Sequence, residues 1–202
     1  MSTNNQNNLS YNSFLNIPTI PYNIIAYEMT NGSQDFWKML KYLTKKPLLE
    51  SDLTLAQKRA LVWTGGSDQD DEQNYNIFLK PLIGNSLDDA VQQSQIRIFR
   101  FDTSPEDQYR SVITYEIDII CHEKCSNVYY SGGIAERTDV IESLLLNDLN
   151  GKEIPKVGIL KFDRELSRYD KSTMNISNSK SFYGRSLMLS IRNLNVDKDG
   201  CT

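Results

Sequence analysis

Cys121-His122-Glu123-Lys124-Cys125 is the densest grouping of chemistry-capable side chains in the chain, and His122 is its sole histidine. Thiolate and imidazole together are zinc ligands. Here, however, three residues separate the cysteines rather than the two of a zinc pair, and only Cys201 remains to add a thiolate. Successive side chains on a strand point to opposite faces, so Cys121 and His122 face apart. The plainer reading puts Cys121 in a core and His122 near the surface at a strand end. Asp68, Asp70, Asp71 and Glu72 suggest calcium, but the calcium-loop register fails. Its sixth position is Gln73 rather than glycine, and its twelfth is Leu79 rather than glutamate. A solvated acidic loop accounts for that cluster. A nucleophilic triad would have to use the one histidine, and no Gly-x-Ser-x-Gly elbow is present. Gly65-Gly66 and Gly132-Gly133 lack the continuation that makes a phosphate-binding loop. No spacing favours a carboxylate pair. These patterns predict a protein that is not an enzyme and that takes no metal or cofactor.

Composition narrows the class. The 202 residues are 39% hydrophobic and 24% charged, with a net charge of −4. That length allows one sizeable domain with appendages, and the balance is that of an ordinary globular chain. The charge offers no footprint for gripping nucleic acid. The apolar runs fall short of a membrane span. A polar, uncharged start (Ser2 to Asn8) predicts no signal peptide, and three cysteines without one predict a reducing compartment.

The elements that must position any site fall into four zones. Residues 1 to 30 read as an extended arm, with apolar residues spaced singly and with Pro18 and Pro21 opposing a continuous helix. Such an arm either docks on another surface or stays a flexible tail. Residues 31 to 94 hold a helical pair and an irregular insertion. Ser33 caps a helix presenting Phe36, Trp37, Leu40 and Leu43, a stripe best explained as core. Pro47 ends it, and Thr54 caps a second, short helix. Residues 95 to 194 carry the main signal, and 195 to 202 are a tail. Ile96 to Phe101 reads as a strand. In the next strand Ile113, Tyr115, Ile117, Ile119 and Cys121 share an apolar face, while Thr114, Glu116, Asp118 and His122 share the other. This is the pattern of a half-buried antiparallel strand. Thr138 starts a helix burying Val140, Ile141, Leu144, Leu145 and Leu149, with Asn150-Gly151 as its left-handed stop. Val157 to Phe162 and the alternation of Leu187, Leu189 and Ile191 complete the set. The fold class is α+β: an antiparallel sheet covered by one helix in the order β-β-α-β-β, with an N-terminal helical pair and an extended N-terminal arm. The Ser- and Asn-rich stretch from Asp163 to Phe182 is either a floppy loop or a finger reaching a neighbour, and long ordered loops tend to carry function.

Asp35-Phe-Trp-Lys-Met-Leu-Lys-Tyr-Leu43, Leu53-Thr-Leu-Ala-Gln-Lys-Arg-Ala-Leu61, Arg97-Ile-Phe-Arg-Phe101, Tyr115-Glu-Ile-Asp-Ile-Ile-Cys-His122, Arg137-Thr-Asp-Val-Ile-Glu142 and Val157-Gly-Ile-Leu-Lys-Phe162 together resemble the neck proteins of tailed phages, over residues 30 to 193. These are the head–tail connector and tail-terminator rings, and the likeness is nearest to ring or collar proteins of crAss-like podoviruses. Its motifs are apolar patterns and turns rather than chemical signatures. The resemblance implies a structural virion protein at the head–tail junction, assembled in the host cytoplasm. It implies a closed homo-oligomeric ring of twelve- or six-fold symmetry, stacked on the portal or on adjacent neck and tail rings. DNA would pass through the lumen without specific binding, and no membrane would be involved. The long arm and the 63–94 insertion depart from a compact terminator, which leaves the layer (adaptor, stopper or terminator) open. Partner contacts are expected from Tyr11, Phe14, Ile17 and Ile20 on the arm, and from Arg168, Tyr169 and Phe182 on the finger. Two other readings compete: a small adaptor that binds proteins along a sheet edge, and a motif-poor hydrolase.

Overall fold

The computed structural model describes residues 14–65, 74–81, 91–105, 110–162 and 181–194. Its strands are β1 (Val62–Trp63), β2 (Ile77–Phe78), β3 (Ser94–Pro105), β4 (Arg110–His122), β5 (Asn127–Tyr130), β6 (Gly133–Glu136), β7 (Glu153–Ile154), β8 (Gly158–Phe162) and β9 (Phe182–Leu194). Seven of them form one sheet in the order β1-β2-β3-β4-β9-β8-β7. The mixed α+β class is therefore as read from the sequence. The simple strand-strand-helix-strand-strand order is not: a separate two-stranded sheet, β5-β6, intervenes before the helix, and three two-residue strands extend the main sheet's edges. β1 and β2 run parallel to their neighbours, while β3, β4, β9, β8 and β7 alternate in direction.

β4 is the central strand. It pairs with β9 from Arg110 with Leu194 to His122 with Phe182, and with β3 along most of the same length. The β3 register shifts between Arg100 and Asp102, which bulges the exposed Phe101 out of the ladder. On one face of β4, Ile113, Tyr115, Ile117 and Ile119 are fully buried in the core. The opposite face was expected to meet solvent, but it does not. Thr114, Glu116 and Asp118 are only 3%, 9% and 2% exposed. Two of these polar side chains pair with their cross-strand neighbours on β9, Thr114 with Ser190 at 3.1 Å and Asp118 accepting from Ser186 at 2.7 Å. Gly184 lies opposite Ile120, where a Cβ would stand 2.7 Å from the Ile119 carbonyl oxygen. The sheet closes here only because that position has no side chain. Gly184→Ala should accordingly cost about 1–3 kcal/mol in urea unfolding; a variant as stable as the parent would show that the strands part without strain.

The helices cover the apolar face. They are α1 (Ile20–Asn31), α2 (Gln34–Lys41), α3 (Leu55–Ala60) and α4 (Arg137–Leu149). The segment expected to be an extended arm is helical from Phe14 onward: a 3-10 stretch over Phe14–Thr19 leads into α1. Pro21 stands in the first turn of α1, where no intrahelical N–H is required, so it starts the helix instead of breaking it. Ile24 and Ile25 are fully buried, and the Tyr115 hydroxyl donates to the Ile17 carbonyl at 3.1 Å. α2 and α3 begin as the sequence predicts. The Ser33 side chain accepts from Asp35 N–H, and Thr54 forms a reciprocal capping box with Gln57. α2 stops at Lys41, so Leu43 lies beyond it. In α4 the five expected residues Val140, Ile141, Leu144, Leu145 and Leu149 are buried, and Gly151 takes the left-handed conformation with φ 75°. The helix starts one residue earlier than expected, at Arg137.

One carboxyl is misplaced by ordinary rules. Glu28, on the last turns of α1, is fully buried, and neither of its oxygens has a hydrogen-bond partner. Gly32 makes room for it, since a Cβ there would overlap the Glu28 carboxyl group. Lys58 of α3 is buried nearby, donating to the Met29 carbonyl at 3.0 Å, and Asp148 of α4 accepts from Ser33 N–H at 2.7 Å. Burial first, and then the Asp148 charge, push Glu28 up to about 8, against a smaller opposing pull from Lys58.

Candidate functional site

The small sheet β5-β6 is a hairpin turned by Ser131 and Gly132, both with positive φ (49° and 87°). Two consecutive residues of that conformation match the right-handed twist of the flanking strands. Side chains alternate along it: Val128 points into the core, while Tyr129 and its cross-strand partner Ile134 point out, 49% and 79% exposed. Large apolar side chains facing water in register are an unfavourable arrangement for an isolated surface. The loop after α2 runs beside β5, with Tyr129 N–H donating to the Lys45 carbonyl at 2.7 Å. Lys46 holds its ammonium 5.6 Å from the centre of the Tyr129 ring. Lys45, Lys46, Asn127, Val128, Tyr129 and Ile134 line a cleft of about 380 Å³. The turn at Pro47–Leu49 packs beside β5, and its Leu49 is 80% exposed. The result is an apolar floor with a basic rim, suited to burying an apolar segment that carries acidic residues.

One buried side chain holds this region together. Arg137 is fully buried, and its guanidinium donates to four backbone carbonyls: Cys125 from Nε at 2.7 Å, Met39 and Tyr42 from Nη1 at 2.7 and 2.9 Å, and Thr44 from Nη2 at 2.8 Å. It joins the C-terminal end of α2, the loop that follows it and the root of the hairpin. On the far side of α4, Arg185 of β9 reaches Asp139 at 2.6 Å and Glu136 and Glu142 at 3.7 Å each. Those ion pairs are part-exposed and hold little energy individually.

The cysteine–histidine cluster lies at the end of β4. His122 was expected near the surface, yet it is fully buried, edge-on to Phe182 with ring centres 4.9 Å apart. Its Nδ1 accepts from Lys124 N–H at 3.1 Å. Cys121 and Cys125 are buried free thiols with sulfurs 3.5 Å apart. The hydrogen bond between Cys121 and Cys125 lowers the Cys125 thiol below its ordinary value, and the same bond raises Cys121. Among the described residues no three His, Cys, Asp or Glu side chains converge as a metal site would require.

The residues expected to touch partners are not brought together. Ile17 and Ile20 are buried in the chain's own core, and Phe182 is buried against His122. Phe14 opens the 3-10 stretch. Tyr11, Arg168 and Tyr169 lie outside the described residues, as does the acidic cluster from Asp68 to Glu72. The sequence signal that could have found the hairpin is Ser131-Gly132 between Val128-Tyr-Tyr130 and Ile134-Ala135, a two-residue turn between short apolar runs.

No curated protein and no solved structure matches the chain. The family model YomW matches residues 33–191, from the cap of α2 into β9, and so spans most of the sheet, the hairpin and Arg137. Its coverage of well over half of the sequence settles the family: the chain belongs to YomW, a phage-associated family.

Proposed function

We propose that this chain is a non-enzymatic structural virion protein that forms a ring in the neck of a tailed phage and joins the portal or head to the tail. The observation that carries the reading is the β5-β6 hairpin, which presents Tyr129 and Ile134 to solvent beside a lysine-rimmed cleft. A ring subunit needs two different surfaces that meet around a closed rotation, and an outward apolar hairpin suits one half of such a contact. Membership in a phage-associated family supports the same reading. In it, the neighbours are further copies of the chain and the adjacent neck proteins, and DNA passes without specific binding.

Native mass spectrometry of the purified chain, alone and with the portal protein of the same phage, tests the proposal. Closed oligomers, or a ring formed on the portal, are expected. The double variant Tyr129→Ser, Ile134→Asp should lose that assembly while its urea midpoint stays within about 0.5 kcal/mol of the parent, since both side chains are exposed in the single chain. A chain that stays monomeric and binds no portal or tail protein would overturn the ring.

A second reading has its own observation. Along β3, β2 pairs with Ile96 and Arg97 alone, and among the described residues no other strand pairs with Ile98 to Ser104 on that side. Ladder positions of β3 without a described partner strand suit an adaptor that adds a partner's strand to its sheet. A monomer that binds an extended peptide, with new amide protection confined to β3, would select it.

A further inference from the structure

Cys121 and Cys125 have no part in the docking surface, and their placement has a chemistry of its own. We propose that the two thiols are a reversible dithiol–disulfide site, oxidised by a hydroperoxide and restored by a thiol reductant. Their sulfurs are 3.5 Å apart in the reduced chain, and closing to a bond of about 2 Å requires side-chain rotation and a small approach of one turn. Cys121 is fixed on the last residues of β4, paired with Ser94 on one side and Tyr183 on the other. Cys125 ends the single 3-10 turn Glu123–Cys125, and Arg137 Nε holds its carbonyl.

The surroundings assign the roles. The two sulfurs share a hydrogen bond in which either can donate, and the Arg137 guanidinium lies close enough to favour a thiolate at either sulfur. Cys125 sits on the turn whose Glu123 and Lys124 are exposed, while Cys121 is paired on both sides within the sheet, so Cys125 is the nucleophile and Cys121 the resolving thiol. The site is covered thinly. Glu123 and Lys124 of the turn are exposed, and the turn is held by Ser126 N–H on the Glu123 carbonyl at 3.2 Å, Lys124 N–H on His122 Nδ1 at 3.1 Å and Glu123 N–H on the Ser181 carbonyl at 2.8 Å. Opening that one turn admits a molecule the size of hydrogen peroxide.

The reaction balances as two successive displacements. The Cys125 thiolate attacks one peroxide oxygen, the O–O bond breaks, and the leaving hydroxide takes a proton to become water. The Cys121 sulfur then attacks the sulfenic sulfur, the S–S bond forms, and the S–O bond breaks with loss of a second water. Two thiols and one hydrogen peroxide give one disulfide and two waters, with the two electrons supplied by the sulfur pair. The link ties the root of the hairpin covalently to the central strand. The inference is independent of the ring proposal, because it concerns the folded single chain.

The test uses the full chain with Cys201→Ser, which leaves only this pair. Hydrogen peroxide should remove two hydrogens from the intact mass and yield one non-reduced peptide joining Cys121 to Cys125, and dithiothreitol should reverse both changes. Adding Cys121→Ser should leave Cys125 as a sulfenic acid that dimedone captures. Recovery of Cys125 as sulfinic or sulfonic acid beside a free Cys121, or of both thiols unmodified, would overturn the site. So would the absence of a dimedone adduct in the Cys121→Ser chain.

Discussion

Arg137→Ala is expected to lower stability by roughly 3 kcal/mol or more in urea unfolding, because it leaves four backbone carbonyls, two buried and two part-buried, without their donor. Each of those bonds has a charged donor, and the two to Met39 and Cys125 are buried, the class whose loss is largest. The Met39 and Cys125 carbonyls are buried away from water, whereas those of Tyr42 and Thr44 lie in the part-exposed loop after α2. Arg137→Lys should recover less than half of the loss. A single ammonium cannot reproduce a planar fork aimed at several segments at once. Hydrogen exchange should show the damage first at residues 39–46 and 125–130, with β4 protected for longer. A loss below about 1 kcal/mol for the alanine variant would mean that these carbonyls find other partners.

Glu28 should make the protein less stable as pH rises from mildly acidic to alkaline, the reverse of ordinary acid unfolding. The folded carboxyl titrates at about 8 and the unfolded one at 4.5, so the native chain holds its proton more tightly. Its contribution is fully present below pH 4.5, declines as the unfolded carboxyl ionises, and is gone above the folded value. The whole window is worth about 5 kcal/mol at most. Glu28→Gln keeps the shape without an ionisable group. It should flatten the slope between pH 5 and 8 and leave the protein more stable than the parent at the alkaline end. Urea midpoints of both chains across that range decide the matter, and identical slopes would show that Glu28 is not the group responsible.

The sequence revealed elements whose signals are local. The alternation from Ile113 to Cys121 marked β4, Thr54 with Gln57 marked the start of α3, and the stripe from Val140 to Leu149 marked α4. Where meaning depends on distant partners, it misled. Pro18 and Pro21 read as helix breakers because their place relative to the helix start was not known, yet Pro21 occupies the first turn. His122 read as a surface residue because Phe182, which covers it, comes much later in the chain. β1 and β2 are two residues each, too short to show any period. Arg137 carries no local signal of its role, since nothing in the sequence around it shows that its partners are carbonyls from residues 39 to 44. Of the candidate site, Tyr129 and Ile134 escape a reading that takes Gly132-Gly133 as a loop, since Gly133 already belongs to the second strand, while the apolar character of Ile17 and Ile20 serves the core.

The central strand also governs when the molecule can exist. β4 meets β3 across a short connection, but its other edge waits for β9, from His122 with Phe182 at the near end to Arg110 with Leu194 at the far end. During synthesis a long interval separates the emergence of β4 from that of its second neighbour, and through it a strand rich in isoleucine has one edge unsatisfied. Loop closure over such separations makes folding slow, and an open apolar edge is a template for pairing with another chain. The nascent protein is thus most exposed to misassembly while β5 through β8 are being made, and a chaperone that shields β4 over that interval would set the yield of native subunits.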